Sequence, residues 1–213
     1  KAKVGKDLAG KEVLKETKDS EPFAAYVFKS IVDPFVGTIN LFKIYSGVVR
    51  TGQEVYISNT DTTVKMPQLF SMMGKTQLQV DAAYAGDIIA VAKLTELTAG
   101  QTICDKKAPV VFEAPAAPTP TIYVAIKPKE KRDEEKISTA LQKIGQEDKT
   151  FEMKRNPETA QLLIGGQGMT HIGYILEKMK NMYKVDVTTA EPKIVYRETI
   201  RKTGQAQGKH KKQ

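Results

Sequence analysis

A proline-rich stretch at residues 114–120, Ala-Pro-Ala-Ala-Pro-Thr-Pro, is the feature that most constrains how this chain folds. Prolines at this density favour an extended, semi-rigid connector and do not lie inside a helix or a central strand. The 213 residues are enough for one large or two ordinary domains. Because the sequence has a different texture on each side of the connector, we expect two domains.

The part before the connector contains short β-branched and aromatic runs separated by turn residues. These runs lie at residues 23–28, 36–45, 55–58, 63–69, 88–94 and 102–104. Many short strands without a long helix predict a closed or nearly closed β-barrel, since closure removes exposed strand edges.

The part after the connector alternates between strand and helix patterns. The predicted order is strand, helix, strand, strand, helix and strand, at residues 121–127, 133–147, 151–155, 160–164, 170–184 and within 185–197. This is the order of a split β-α-β-β-α-β sandwich, with both helices on one sheet face. The sequence therefore predicts an all-β barrel followed by an α+β, ferredoxin-like domain.

A strand-to-helix junction is expected at residues 162–172, where an apolar run breaks at clustered glycines and restarts as a helix. Gly166 and Gly168 would lie in an exposed turn. The simplest interpretation is that these glycines only allow a tight connection. His171, alone near the start of the helix, is by default a structural side chain that hydrogen-bonds near the turn.

The net charge of +8 is concentrated at the C-terminus, where residues 197–213 carry six basic residues and one acidic residue. Such a tail suits contact with phosphates and equally suits a disordered, solvated end. No aromatic residue interleaves it as a base-stacking surface requires. The candidates for RNA contact in this tail are Arg201, Lys202, Lys209, Lys211 and Lys212.

Several kinds of site are not expected. Cys104 is the single cysteine and cannot form an internal disulfide, and the two histidines are too far apart in sequence for a zinc cluster. We predict no catalytic, cofactor or metal site, since no nucleophile or paired-carboxylate constellation can be assembled. Without a membrane span or a signal peptide, a cytoplasmic location is expected.

A nucleotide site is also not expected. The nearest approach to a phosphate-cradling loop is Gly74-Lys75-Thr76, but the upstream glycine is replaced by Leu69, and two methionines fill the loop. Lys75 is therefore interpreted as a barrel-loop lysine and a further candidate for RNA contact.

Several blocks in register resemble elongation factor G over residues 20–201. Those resembling its second domain lie at residues 21–29, 33–37, 45–47 and 84–88. Those resembling its third domain and the entry to its fourth lie at residues 140–144, 147–151 and 192–200, with Gly166, Gly168, His171 and Ile172 matching the third-domain signature. Met169 replaces the Glu of that signature. In this difference and in the sequence of its tail, the chain is more similar to the elongation factor G-like paralogues than to the main factor. Both interpretations, a main factor and a paralogue, therefore stay open.

The resemblance implies a middle piece of a larger protein. We expect a linker from a nucleotide domain at 1–18, the translation-factor barrel at 19–113, the connector at 114–120, the third domain at 121–198 and a basic stub leading to a fourth domain at 199–213. The parent would be a monomeric, ribosome-dependent GTPase that binds GTP with Mg in its nucleotide domain. This chain itself would not be an enzyme.

The resemblance also implies a role. The chain would couple GTP hydrolysis to ribosomal translocation and contact small-subunit RNA and proteins, together with the nucleotide and fourth domains. Gly166, Gly168, His171 and Lys178 would face the nucleotide domain and its switch region; Lys178 stands where many members have Arg. A stand-alone RNA- or ribosome-binding module without a nucleotide switch is the alternative.

Overall fold

A computed structural model describes residues 2–33, 36–74 and 76–210, and its first part is built from twelve strands. They are β1 (Lys3–Lys6), β2 (Glu12–Lys15), β3 (Ala24–Asp33), β4 (Gly37–Ser46), β5 (Val49–Arg50), β6 (Glu54–Ile57), β7 (Thr62–Lys65), β8 (Leu69–Met73), β9 (Thr76–Val80), β10 (Ala82–Ala83), β11 (Ile88–Ala92) and β12 (Thr102–Cys104).

Eight of these strands form one sheet in the order β7-β6-β12-β3-β4-β11-β8-β9, and the short pair β5–β10 forms a second sheet. The N–H of Thr51, just after β5, also donates to Asp81 O at 3.0 Å. The inward residues of the strands form one apolar core, which includes Phe42, Ile44, Ile57, Leu69 and Val91. This confirms the predicted barrel.

Local details differ from the predicted strands. The run at residues 63–69 forms two strands, since β7 ends at Lys65 and β8 begins at Leu69. Pro67, between them, lacks the N–H that a continuous strand would use.

The N-terminal residues also differ from the prediction. Residues 3–15 were expected in a linker but form the antiparallel β1–β2 hairpin. Lys6 and Val111 exchange both backbone hydrogen bonds, at 2.9 and 2.7 Å, and so tie this hairpin to the end of the barrel.

The second part is a four-stranded antiparallel sheet with two helices, in the order β14-β15-β13-β16. Its elements are β13 (Ile122–Pro128), α1 (Glu134–Glu147), β14 (Glu152–Arg155), β15 (Leu162–Gly166), α2 (Met169–Tyr183) and β16 (Val187–Ala190), with a 3-10 turn at Lys131–Asp133 before α1. Helical Ile137, Leu141 and Ile175 pack against Ile126 and Ile164 of the sheet. This confirms the ferredoxin-like fold. Among the described residues, neither helix is long and apolar enough to cross a membrane.

The strand before the clustered glycines is shifted along the chain by two residues, from the predicted 160–164 to Leu162–Gly166. β15 continues through Gly165 and Gly166, which pair with Tyr123 and Ile122 of β13. A Cβ on Gly165 would lie 2.7 Å from Tyr123 Cε1 and 3.0 Å from Pro120 Cβ. Gly165 thus leaves room for the tyrosine ring and the connector to pack on the sheet face away from the helices.

Candidate functional site

The connection between β15 and α2, here called the glycine turn, comprises Gly166, Gln167 and Gly168. Its backbone is bound to the residue that precedes β13. The N–H of Thr121 donates to Gly166 O at 2.9 Å, and the Thr121 hydroxyl donates to Gln167 O at 2.9 Å. The turn is therefore fixed to the entry of the domain.

The Gln167 side chain holds two further segments against the turn. Its Nε2 lies 3.2 Å from Pro118 O, 3.0 Å from Thr119 O and 3.4 Å from Thr150 O. These carbonyls belong to the connector and to the loop between α1 and β14. Sequence reasoning did not single out Gln167; its place as the one polar side chain between the glycines was the available signal.

His171 lies in the first turn of α2 and bonds through both ring nitrogens. Its Nδ1 accepts the N–H of Gln167 at 3.1 Å, and its Nε2 lies 2.9 Å from Asp148 Oδ2. Because Nδ1 accepts, the tautomer that fits this geometry carries its proton on Nε2, which donates to the carboxylate. The histidine thus connects the glycine turn to the end of α1, in agreement with the structural interpretation.

Asp148, the residue after α1, is the anionic member of this network. Its Oδ1 accepts the Thr150 N–H at 2.8 Å and the Thr150 hydroxyl at 2.6 Å. Partial burial alone would raise the pKa of Asp148, but the hydrogen bonds from Thr150 and then from His171 outweigh it and lower that pKa below its ordinary value. The carboxylate therefore stays charged and holds the network together.

The two glycines of the turn have different surroundings. A Cβ on Gly166 would lie 3.0 Å from both His171 Nδ1 and Ile172 Cδ1. A Cβ on Gly168 would have no atom within 4 Å, and the φ of Gly168 is 167°, an extended value that any residue adopts. Gly166 thus allows close packing inside the domain, whereas Gly168 leaves free space at the surface.

Apolar side chains are exposed beside the glycine turn. Met169 is 68 % exposed and Tyr174 is 58 % exposed, both on α2. Met169 also lines an open groove of about 500 Å³ whose other walls include Tyr123 and Ala190. A firmly held turn beside exposed apolar residues has the character of a contact surface.

Lys178 lies two helical turns beyond His171 and has a different partner. Its Nζ pairs with Glu147, and the two side chains are 14 % and 11 % exposed. The Nζ also lies 6.0 Å from the centre of the Tyr174 ring. The adjacent acidic residues at the end of α1 therefore bind separate basic residues of α2: Glu147 binds Lys178, and Asp148 binds His171. This pairing was not visible in the sequence.

Comparison with known proteins gives two family matches, one for each part of the fold. Residues 22–106 match the family described as Elongation factor G domain 2. Residues 117–191 match the family described as Elongation Factor G, domain III. The chain belongs to the elongation factor G family.

A solved structure is similar to this chain in fold and in sequence. The crystal structure of a protein from Thermus thermophilus superimposes with a TM-score of 0.74 at 32 % sequence identity. The match covers 82 % of this chain and 26 % of that protein. The chain thus spans about a quarter of the length of this relative. The barrel corresponds to domain II of the family, and the ferredoxin-like part corresponds to domain III.

The candidates for RNA contact are separate from the glycine turn of domain III. Arg201, Lys202 and Lys209 are exposed in the segment after β16, and none of them takes part in the hydrogen bonds of the turn. The other three candidates, Lys75, Lys211 and Lys212, lie outside the described residues.

Proposed function

We propose that this chain is the central part of an elongation factor G-type translation factor that couples GTP hydrolysis in a nucleotide domain to translocation on the ribosome. Its membership of the family supports this role, as does the presence of domains II and III in the family order. In this proposal the parent protein is the cytoplasmic, monomeric GTPase. This chain supplies contact surfaces and no chemical step.

The glycine turn carries the proposal. Hydrogen bonds donated by Thr121 and by the Gln167 side chain, and one accepted by His171, hold its base against three other segments of the chain. Its outer side carries the open space at Gly168 and the exposed Met169. A rigid base with an exposed edge suits contact with a neighbouring domain, since a loosely held loop could not transmit a small displacement. We assign this edge to the interface with the nucleotide domain.

Domain III transmits the nucleotide state in this proposal. A switch can bias only an arrangement that already has alternatives. The connector provides such alternatives because it joins two separately packed cores. Displacement of the glycine turn by the nucleotide domain would then move α1, α2 and their sheet as one body.

The exposed basic segment supplies the proposed contact with the ribosome. Arg201, Lys202 and Lys209 project from chain that has no regular secondary structure. Their charges suit the phosphates of small-subunit RNA, and binding of this kind is driven by counterion release.

The test uses the full-length protein with Gly168→Val. Because a Cβ at Gly168 would have no atom within 4 Å, domain III should keep its stability while the valine obstructs a partner at the turn. We expect ribosome-stimulated GTP hydrolysis to continue, while translocation slows by about tenfold, the effect of losing roughly 1.4 kcal/mol of coupling.

Gly173→Val is the matched control. Gly173 lies in α2 and also has no atom within 4 Å of an added Cβ. We expect wild-type hydrolysis and translocation from this variant. If Gly168→Val leaves both activities unchanged, the turn is not the coupling surface.

A further inference from the structure

The carboxylate of Glu147 lies between the barrel and domain III. Glu147 is the last residue of α1. Its Oε1 accepts the backbone N–H of Val32 in β3, and its Oε2 pairs with Lys178 of α2. One half-buried side chain thus joins a barrel strand to both helices of domain III.

The Val32 amide needs this partner. Thr38 of β4 lies opposite Val32, and its carbonyl accepts the N–H of Lys93 at 3.0 Å. Thr38 thus directs its backbone hydrogen bonds away from β3, so Val32 and Thr38 form a non-hydrogen-bonded pair. The Val32 N–H therefore faces the other side of β3, where β12 pairs only as far as Tyr26. Val32 is 7 % exposed. Without Glu147 a buried donor would lose its acceptor, which is costly.

Two clefts flank this contact and leave it narrow. One, of about 270 Å³, lies between barrel residues such as Ser30 and Thr98 and Gln142 of α1. The other, of about 400 Å³, lies between Gly37 of the barrel and Tyr183 of α2. An interface interrupted by open space gains less from packing than a continuous core does. The polar contact through Glu147 therefore has a large share in fixing the relative orientation of the two domains.

Tyr183 lies near enough to the carboxylate to feel its charge and carries an unused donor. Its hydroxyl is buried and has no hydrogen-bond partner among the described residues. Burial and then the nearby charge of Glu147 raise the pKa of Tyr183, which keeps its proton available for donation. If the Val32 N–H withdrew, this hydroxyl could take its place at the carboxylate.

We propose that Glu147 is a positioning residue that fastens domain III to the barrel, with the Val32 N–H as its donor when the domains are docked and the Tyr183 hydroxyl as its replacement when they separate. Lys178 holds the carboxylate in place in both arrangements. The inference rests on this chain alone and does not depend on the proposed action on the ribosome.

Hydrogen exchange of individual amides in this chain is the first test. Glu147→Ala should raise the exchange rate of the Val32 amide by at least about tenfold, because that N–H loses its only acceptor among the described residues. The amides of Phe42 and Ile164, in the two cores, should keep their wild-type rates. Glu135→Ala, an exposed glutamate of the same helix, is the matched control and should leave the Val32 amide protected.

The interdomain distance is the second test. Spin labels at Lys65→Cys in β7 and Lys154→Cys in β14 report on the two domains, and the buried Cys104 stays unlabelled. We expect Glu147→Ala to broaden the distance distribution about twofold, as expected when a fixed arrangement gives way to several. Glu147→Gln keeps an oxygen acceptor for Val32 and should restore most of the narrow distribution.

The outcomes separate positioning from general stability. Unchanged exchange at Val32, or an equal broadening in Glu135→Ala, would overturn the proposal. Faster exchange at Phe42 and Ile164 together with Val32 would also overturn it, since that pattern reports general destabilisation. If Glu147→Ala does not fold, Lys178→Met carries the test, because it removes the partner that holds the carboxylate in place. This variant should broaden the distance distribution relative to the wild type, and no broadening would mean rejection.

Discussion

Single residues of domain III act through the partners that the fold gives them. His171 is isolated in the sequence, yet the structure places it between the Gln167 amide and the Asp148 carboxylate. Lys178 pairs with Glu147 and so contributes to the boundary with the barrel. At this scale, hydrogen bonding to a buried or half-buried carboxylate decides what each basic residue does.

The charge of Asp148 should make part of the stability pH-dependent. Its folded-state pKa is lowered, so its contribution is fully present above the ordinary aspartate pKa of about 3.9 and is lost as pH falls through the folded pKa. Asp148→Asn should therefore be less stable than the wild type at pH 6, and this difference should shrink towards pH 3. Urea unfolding followed by circular dichroism measures it, with the exposed barrel residue Asp81→Asn as control. A difference that is constant with pH would contradict the assigned role.

Glycines that look alike in the sequence should respond differently to substitution. Gly165→Ala forces a methyl group against Tyr123 and Pro120, so we expect the free energy of unfolding to fall by about 1–3 kcal/mol. Gly168→Ala enters open space and should change it by less than about 0.5 kcal/mol. Urea titration of the two variants checks this order. Equal losses would mean that packing around Gly165 is not the cause.

At the scale of elements, α2 is defined by its ends as well as by its apolar face. It begins at Met169 after the extended Gly168 and has no side-chain cap at its N-terminus. It ends where Lys184 adopts a left-handed conformation with φ of 55°. The backbone N–H groups of Lys184 and Val185 both donate to Met179 O, which satisfies the end of the helix.

The left-handed residue after α2 should be improved by glycine. Lys184→Gly removes the steric cost of Cβ in this conformation, so we expect the free energy of unfolding to rise by roughly 0.5–1 kcal/mol. Lys180→Gly, one turn earlier inside the helix, should instead lower it by about 1 kcal/mol. Thermal unfolding of both variants gives the comparison. A loss of stability in Lys184→Gly would show that its side chain makes a contact that outweighs the strain.

At the scale of the whole molecule, the core of the barrel and the core of domain III are joined by a connector and a narrow polar contact. Gln167 fastens the connector to the glycine turn, and Glu147 fastens domain III to the barrel. The relative positions of surfaces on the barrel and on domain III therefore depend on these two contacts. The exposed basic segment after β16 lies outside both cores.

Salt dependence should distinguish the two roles considered for the whole chain. On ribosomes, the variant with Arg201→Ala, Lys202→Ala and Lys209→Ala should reduce the slope of log affinity against log salt by about 2–3 units, since three phosphate contacts are lost. The charge-preserving variant Arg201→Lys, Lys202→Arg and Lys209→Arg should keep the wild-type slope. Filter binding measures both.

Binding to naked small-subunit RNA completes this comparison. If the chain acts at a ribosomal site made of both RNA and protein, it should bind the naked RNA weakly. Tight, salt-sensitive binding to naked RNA would favour the stand-alone RNA-binding module.

Local pattern by itself determined much of this protein. Short β-branched and aromatic runs between turn residues predicted the barrel. Helical spacing predicted α1 and α2, because it reports which residues face a core. The order of the blocks in residues 20–201 was enough to indicate the family. Local pattern failed where neighbours in space decide: β15 runs through Gly165 because Tyr123 packs there, and β1–β2 is fixed by Val111, which is distant in sequence.

The candidate site and the domain contact were decided only by the tertiary structure. Glycine clustering and His171 indicated a turn in the sequence. The partners of that turn were not indicated: the Gln167 side chain reaches Pro118, 49 positions away, and Asp148 binds Thr150. Glu147 and Val32 lie 115 residues apart. Hydrogen bonds depend on distance and direction in space, which the spacing of side-chain types along a chain does not encode. Local pattern therefore determined the elements, and the folded arrangement decided which polar groups became partners.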